Sequence, residues 1–468
     1  MKSTQDQYTI LAYLDNALGR DTEIMIPVAY TLEKYCNCKV KFLFIWDVYA
    51  IRRLKPDAVL LPNIKGHNLY FEIAKYAYQN QVVVLAMESE GNFRTDGSFP
   101  YWGYNTDKFF YQEWITAWSE RTKKYLLRFK EADNGRVVLT GGTGFDRYKI
   151  CQFESRKDLL KRYKLEKYKK VIGYAGWAFG KMYSKHKDIA LAHIHPDWDT
   201  RFKWSEKNRI IVREALRKLI ESNKDTLFIF KRHPKESFED DLTEGPNEMN
   251  ELVDYDNVLY IRKEENIHNL IAISDLWLGF ETTTSIEAWL LGKETILINP
   301  EVDFVRNNIY KGSLIVPDYT GLEKYVDEFY DKGKINDFYD ISLIQNRRQI
   351  IADAIGFGDG LNHLRACYYF AKSLKKRDRQ KKISRNLRHL RLYYLMHIGK
   401  YFYVESIFRH LPGFKKSIYV FKNMYLKGFY QRKKEYERDL DKFHDQNGIT
   451  EKLKNSDWHS VIDNIDLS

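Results

Sequence analysis

YTILAYLDNALGRDTEIMIPVAYTLEKY, residues 8–35, decides the fold. Its first seven residues are an apolar run that reads as a buried strand. DNALGRD is a polar, glycine-containing turn, and EIMIPVAYTLEKY carries apolar residues at helical spacing. Outward from this unit, VKFLFIW (40–46), DAVLLPN (57–63) and VVVLAME (82–88) supply further short apolar runs, and NLYFEIAKYAYQN (68–80) reads as helix. RVVLTGG (136–142) closes this half near Gly144. After a charged stretch read as helical (154–170) the pattern begins again. KKVIGYAG (169–176) is a strand into a glycine turn, SEKNRIIVREALRKLIESN (205–223) a helix and DTLFIFKRHP (225–234) a strand ending in a polar loop. NVLYIRK, ENIHNLIAIS, DLWLGF, TTTSIEAWLLG and ETILINP continue the alternation to Pro300. Short strands alternating with helices imply parallel sheets wound with crossover helices. The expected fold class is therefore α/β, with two Rossmann-like domains facing across a cleft where the carboxyl ends of their strands bind ligands. The expected domains are 1–150, a linker 151–168, a second domain 169–365, and a basic, aromatic-rich helical extension 366–468.

The chain of 468 residues is 44% hydrophobic and 30% charged, which excludes a disordered or collagen-like protein. No apolar run approaches the length of a membrane span, and MKSTQDQYTI lacks the pattern of a secretory leader. Four cysteines, Cys36, Cys38, Cys151 and Cys367, are too scattered for a disulfide framework and read as reduced thiols. A cytoplasmic location is expected. The net charge of +12 is unevenly spread: residues 373–440 hold 19 Lys and Arg against 5 Asp and Glu, and the remainder holds 57 against 59. Cations interleaved with aromatics and leucines suit an anionic membrane surface, each cation contributing about 1 kcal/mol near it. A solvated helical tail and a grip on nucleic acid are the alternatives, nucleic acid being the least favoured.

Three clusters carry chemistry. Glu88-Ser89-Glu90-Gly91 follows the strand VVVLA, where a carboxylate can act as general base and a glycine lets a substrate approach the backbone. Lys231-Arg232-His233-Pro234 ends another strand, placing three cation-forming side chains where a phosphate would sit. Thr282, Thr283, Thr284 and Ser285 precede a helix, where hydroxyls and free N–H groups favour an anion, with Glu287 in reach of ribose hydroxyls. A solvated loop carboxylate, a structural histidine and a plain helix cap are the alternatives at these three places. Gly141-Gly142-Thr143-Gly144 lacks the GK[ST] of a P-loop, and the alternating His193, His195, Asp197 and Asp199 have no partner ligands, so no metal and no cofactor are expected.

E-S-E-G (88–91), H-P (233–234) and the hydroxyl run before E-A (282–288), in that order over two α/β halves, resemble bacterial GT-B glycosyltransferases of surface-carbohydrate biosynthesis. The nearest motifs are those of inverting sialyl-, Kdo- and other nonulosonate transferases that use CMP-activated sugars. GRDTEIMIPVAYTLEK (19–34), VVLTGGTGFDRY (137–148) and FGDGLNHLRA (357–366) also look like proteins of surface-polysaccharide synthesis, capsule or lipopolysaccharide among them. The resemblance covers about residues 8–370. It implies that Glu90 is the general base with Glu88 as rival, Ser89 standing where the family has another acid. It implies that His233 assists the leaving phosphate, that Thr283, Thr284 and Ser285 hold that phosphate, and that Glu287 lies near the ribose. Lys231, Arg232 and Thr282 join the expected donor site. The expected activity is inverting transfer of a sugar from a nucleotide donor to a lipid-linked or oligosaccharide acceptor, peripherally bound at the inner face of the cell membrane through residues 373–440. The alternatives are a CDP-polyol phosphotransferase of teichoic-acid type, a non-hydrolysing sugar-nucleotide epimerase, and a nucleic-acid-binding protein.

Overall fold

A computed structural model describes residues 7–16, 19–65, 68–91, 109–128, 135–177, 179, 198–233, 247–262, 265–301, 311–376 and 428–462. They divide into two units: residues 1–151 with 353–468, and residues 152–352.

In the first unit β1 (Tyr8–Leu14), β2 (Cys38–Phe44), β3 (Ala58–Leu61) and β4 (Val83–Ala86) form a parallel sheet in the order β2-β1-β3-β4. Side chains alternate between its faces. Ile10, Ala12 and Leu14 pack with the helix Arg20–Tyr35, while Leu11, Tyr13, Val59 and Leu61 pack with Tyr70, Ile73 and Ala77 of the helix Asn68–Gln79. Both faces are buried, which is why these strands read as continuous apolar runs. A short parallel pair, β5 (Ile115–Ala117) and β6 (Val137–Leu139), lies beside β4, Thr116 Oγ1 donating to the Ala86 carbonyl at 3.4 Å.

The second unit is a six-stranded parallel sheet in the order β12-β11-β10-β7-β8-β9. Its strands are β7 (Lys170–Ala175), β8 (Thr226–Lys231), β9 (Val258–Ile261), β10 (Leu276–Gly279), β11 (Glu294–Ile298) and β12 (Leu314–Val316). At its centre Trp277 is fully buried on β10, and a Cβ on Gly173 of the neighbouring β7 would stand 2.2 Å from the indole, so only glycine fits. The chain between the two sheets is not a free linker. The helix Arg156–Arg162 buries Leu159 and Leu160 in the second core, and Arg156 Nε donates to the Ile273 carbonyl at 2.7 Å.

The structure also redraws the other boundary. The chain returns to the first unit at Asp353, and the helices Asn362–Lys375 and Phe429–Gln446 complete its core with Cys367, Phe370, Leu374, Phe429, Tyr436 and Leu440. The end of the expected extension is thus part of a Rossmann-like unit, and residues 377–427 lie outside the described residues. Arg432 donates two hydrogen bonds to Glu23, at 2.7 and 2.8 Å, and Lys433 pairs with Glu33 and Glu437, so part of the basic charge is used internally. A buried polar chain joins the same elements. Asp146 accepts from the Asn362 and His363 backbone N–H groups and meets His363 Nδ1 at 2.9 Å; His363 Nε2 lies 3.1 Å from His444 Nε2, and His444 Nδ1 lies 3.0 Å from the Tyr35 hydroxyl. All four cysteines are free thiols, and burial pushes Cys36 and Cys151 up to about 12.

Burial, with His363 and Lys34 adding to it, pulls the His444 imidazole down to about 2. The unfolded chain takes up this proton below about 6.5 and the folded chain does not, so stability is lost as pH falls from there toward 2. Urea unfolding of the wild type should lose up to about 1.4 kcal/mol per pH unit below 6.5 that H444Q does not lose; parallel pH profiles would refute this account.

Candidate functional site

The strand orders place a switch point between β1 and β3 in the first unit and between β7 and β10 in the second, where consecutive crossovers leave toward opposite edges. Open α/β sheets bind ligands outside the carboxyl ends of strands at such points.

In the first unit, the loops after β1, β3 and β4 bring together Asp15, Arg20, Asp21, Asn63, Lys65, Glu88, Ser89 and Glu90. Glu90 is partly exposed and ion-paired with Arg20 from the first turn of the helix Arg20–Tyr35. Glu88 is half-buried, with its carbonyl accepting from Trp118 Nε1 at 2.7 Å. Burial pushes the Glu88 carboxyl well above the ordinary carboxylate range; Lys65 and Arg20 oppose the shift and Asp21 reinforces it. Lys65 is buried, with Nζ 4.0 Å from the centroid of the Phe110 ring.

One reading of this motif is corrected. A Cβ on Gly91 would stand 2.3 Å from the Trp118 indole, so the glycine makes room for a core tryptophan and not for a substrate. Ser89, between the two glutamates, is 1% exposed and accepts from Asn63 Nδ2 at 2.9 Å, a position where a carboxylate would be buried.

In the second unit, Gly176 follows β7, and a Cβ there would stand 1.7 Å from Glu248 Oε1. Glu248 is fully buried and accepts from the Tyr174 hydroxyl at 2.7 Å. Lys231, Arg232 and His233 end β8. Lys231 Nζ caps the Arg262 carbonyl at the end of β9 at 2.9 Å, Arg232 is buried and His233 half-buried; Pro234 lies outside the described residues. The hydroxyl run divides. Thr284 Oγ1 accepts from Trp277 Nε1 at 2.8 Å, and Thr282 Oγ1 accepts from the Thr284 N–H at 3.2 Å, so both brace the turn. Thr283 is exposed, and Ser285 is fully buried with no hydrogen-bond partner for Oγ among the described residues. Glu287 lies half-buried in the helix Thr284–Leu290. Glu281, just before the run, is buried with φ of 49°, a left-handed conformation rare outside glycine.

Sequence reading assigned no role to Arg20, Asp21, Asn63, Lys65, Glu248 or Glu281. Arg20 and Asp21 stood inside a turn read for its polarity, and their partners come from distant loops that only the folded sheet brings near. Among the described residues no group of three or more His, Cys, Asp or Glu could hold a metal ion; His193, His195 and Asp197 lie outside them. No described helix is long and apolar enough to cross a membrane.

No protein-family model matches the chain, and no curated protein matches it. Among solved structures, a Listeria monocytogenes protein described as a UDP-N-acetylglucosamine 2-epimerase is 14% identical, covering 80% of this chain and 98% of its own, with a TM-score of 0.53. A second UDP-N-acetylglucosamine 2-epimerase is also 14% identical, covering 82% of this chain and 100% of its own, with a TM-score of 0.52. These likenesses establish the fold: the chain has two Rossmann-like domains of the GT-B type.

Proposed function

We propose that the chain is an inverting glycosyltransferase that moves a sugar from a nucleotide-activated donor to a hydroxyl of a surface-glycan acceptor. One observation carries this reading: carboxyls of raised proton affinity gather at the carboxyl end of one parallel sheet, and cations, an imidazole and hydroxyls at that of the other. The carboxyl cluster, with Glu90 and Glu88 as the residues the motif supplies, removes the acceptor proton. The acceptor oxygen bonds to the anomeric carbon as the bond from that carbon to the phosphate oxygen breaks, and the nucleotide leaves. Arg232 and His233 offset the charge growing on the departing phosphate, while Thr283 and Ser285 are the hydroxyls of the run not engaged in bracing the turn. The motifs favour a CMP-activated donor.

A second reading, a non-hydrolysing epimerase acting on a free nucleotide sugar, is favoured by the two similar structures, both described as UDP-N-acetylglucosamine 2-epimerases. Thermal-shift screening with CMP, CDP, UDP and GDP selects the nucleotide, because binding raises apparent stability by mass action. Incubation with the selected nucleotide sugar then separates the readings. Release of nucleotide only when an oligosaccharide acceptor is added supports transfer, and conversion of the sugar without acceptor supports epimerisation. E90Q or E88Q, and H233A, should each lower transfer by about 100-fold or more with unfolding unchanged; full activity in H233A, or in both glutamate variants, would reject these assignments.

The membrane partner is proposed for residues 377–427, which hold 13 of the 19 cations of the basic segment and 2 of its 5 acids. Deleting these residues, in place of a truncation that would remove Phe429, Tyr436 and Leu440 from the core, should abolish flotation with anionic liposomes. Equal flotation of both chains would remove the membrane role.

A further inference from the structure

We propose that Asp21 is a further acid–base residue of the first unit's site, receiving the proton of a substrate hydroxyl whose neighbouring hydroxyl is held by Asn63. The inference rests on the reading that this unit deprotonates a sugar hydroxyl and names a residue for the step.

The geometry comes from three loops at one sheet end. Asp21 stands in the first turn of the helix that follows β1. Tyr70, from the helix that follows β3, hydrogen-bonds the Asp21 carboxylate, and the Asp15 N–H donates to the Tyr70 oxygen at 2.9 Å, which fixes the phenol. Tyr70 is fully buried, so this support is rigid.

Asn63 supplies the independent observation. It follows β3, is 5% exposed, and spends its amide N–H on Ser89, between the two glutamates of the motif. Its Oδ1 is buried with no hydrogen-bond partner among the described residues. An orphaned buried acceptor destabilises the fold and is satisfied when a donor arrives. A polyhydroxylated ligand brings such donors.

The other carboxyls of the cluster act beside it. Glu90 is ion-paired with Arg20, and burial raises the Glu88 carboxyl well above the ordinary range. Burial and the Asp15 charge push Asp21 up to about 7, with Arg20 and the Tyr70 hydrogen bond opposing. The charged and titratable groups around Asp21 are thus Asp15, Arg20, Tyr70 and Glu88, with Lys65 and Glu90 beyond them. In the step, the substrate O–H bond breaks, a carboxyl O–H bond forms on Asp21, and the freed oxygen pair bonds to the anomeric carbon as the bond from that carbon to the nucleotide phosphate breaks; the nucleotide leaves with that electron pair, and the proton on Asp21 then passes to water.

The test uses the full chain. Infrared titration of the carboxyl stretch, wild type minus D21N, reads Asp21 without any substrate. A midpoint near 7 is expected, and a midpoint near the ordinary aspartate value of about 3.9 overturns the proposal. With a donor and acceptor that support nucleotide release, D21N should lose about 100-fold or more in kcat and lose the rise in rate through pH 7. Y70F removes a hydrogen bond that favours the ionised form, so the same rise should move to higher pH. D21N activity within threefold of wild type, with the rise intact, overturns the proposal while leaving the transferase reading in place. Absence of release with every nucleotide sugar sinks the transferase reading instead, and with it the proton step assigned to Asp21.

Discussion

Both parallel sheets are covered on their two faces, and this single constraint decides where chemistry can occur. A polar side chain under either helical layer would need a partner in an apolar core. Polar residues therefore gather at the carboxyl ends of the strands, where successive loops turn toward opposite edges. Asp15, Asn63 and Glu88 leave β1, β3 and β4 at the same end, as Gly176, Arg232 and Glu281 do for β7, β8 and β10.

The same constraint explains the return of the chain to the first unit. The helix Arg20–Tyr35 buries Ile24 through Leu32 almost continuously, more than one sheet face can cover. The helices Asn362–Lys375 and Phe429–Gln446 cover its other side, and the buried chain from Asp146 through His363 and His444 to Tyr35 fixes their register. Two stretches that resemble surface-polysaccharide proteins, VVLTGGTGFDRY and FGDGLNHLRA, meet here: Asp146 of one accepts from Asn362 and His363 of the other. A Cβ on Gly141, whose φ is 75°, would stand 1.9 Å from Asn362 Oδ1. The glycines of that stretch serve this packing.

The strands were legible because burial on two faces makes each one an apolar run, and β1, β3, β4, β7, β8, β10 and β11 fall within the runs read from sequence. The loops carrying Glu88, Glu90 and His233 were legible for the same reason, as they follow those runs. Roles inside the loops were less so. Gly91 looks the same in sequence whether it admits a substrate or Trp118, and four hydroxyls in a row do not reveal that Thr284 is engaged by Trp277 seven residues earlier. Arg20 and Asp21 acquire their character from Glu90, Asp15 and Tyr70, which no local pattern connects. Strand β12 escaped because three residues carry little periodic signal, and the boundary at Asp353 because it falls inside a continuous helix, Ile341–Ile355, with no turn to mark it.

Charge counting at the first unit's site gives the last step. Among the described residues, Asp15, Asp21, Glu88 and Glu90 face two cations, Arg20 and Lys65, so full ionisation would leave an excess of two negative charges in a partly desolvated place. Like charges in low dielectric do not all ionise, and a proton stays in the cluster. Burial is the main cause of the raised Asp21 and Glu88 carboxyls, with Asp15 adding to the first and Asp21 to the second. A cluster with excess negative charge repels a nucleotide phosphate and tolerates neutral hydroxyls. In the second unit Lys231, Arg232 and His233 gather at the end of β8, while Glu248 and Glu281 stand near the ends of β7 and β10, so the positive charge is local to the β8 loop. The proposed neutral acceptor suits the acidic cluster of the first unit, and an anionic donor would have to meet its compensating charge at the β8 loop of the second.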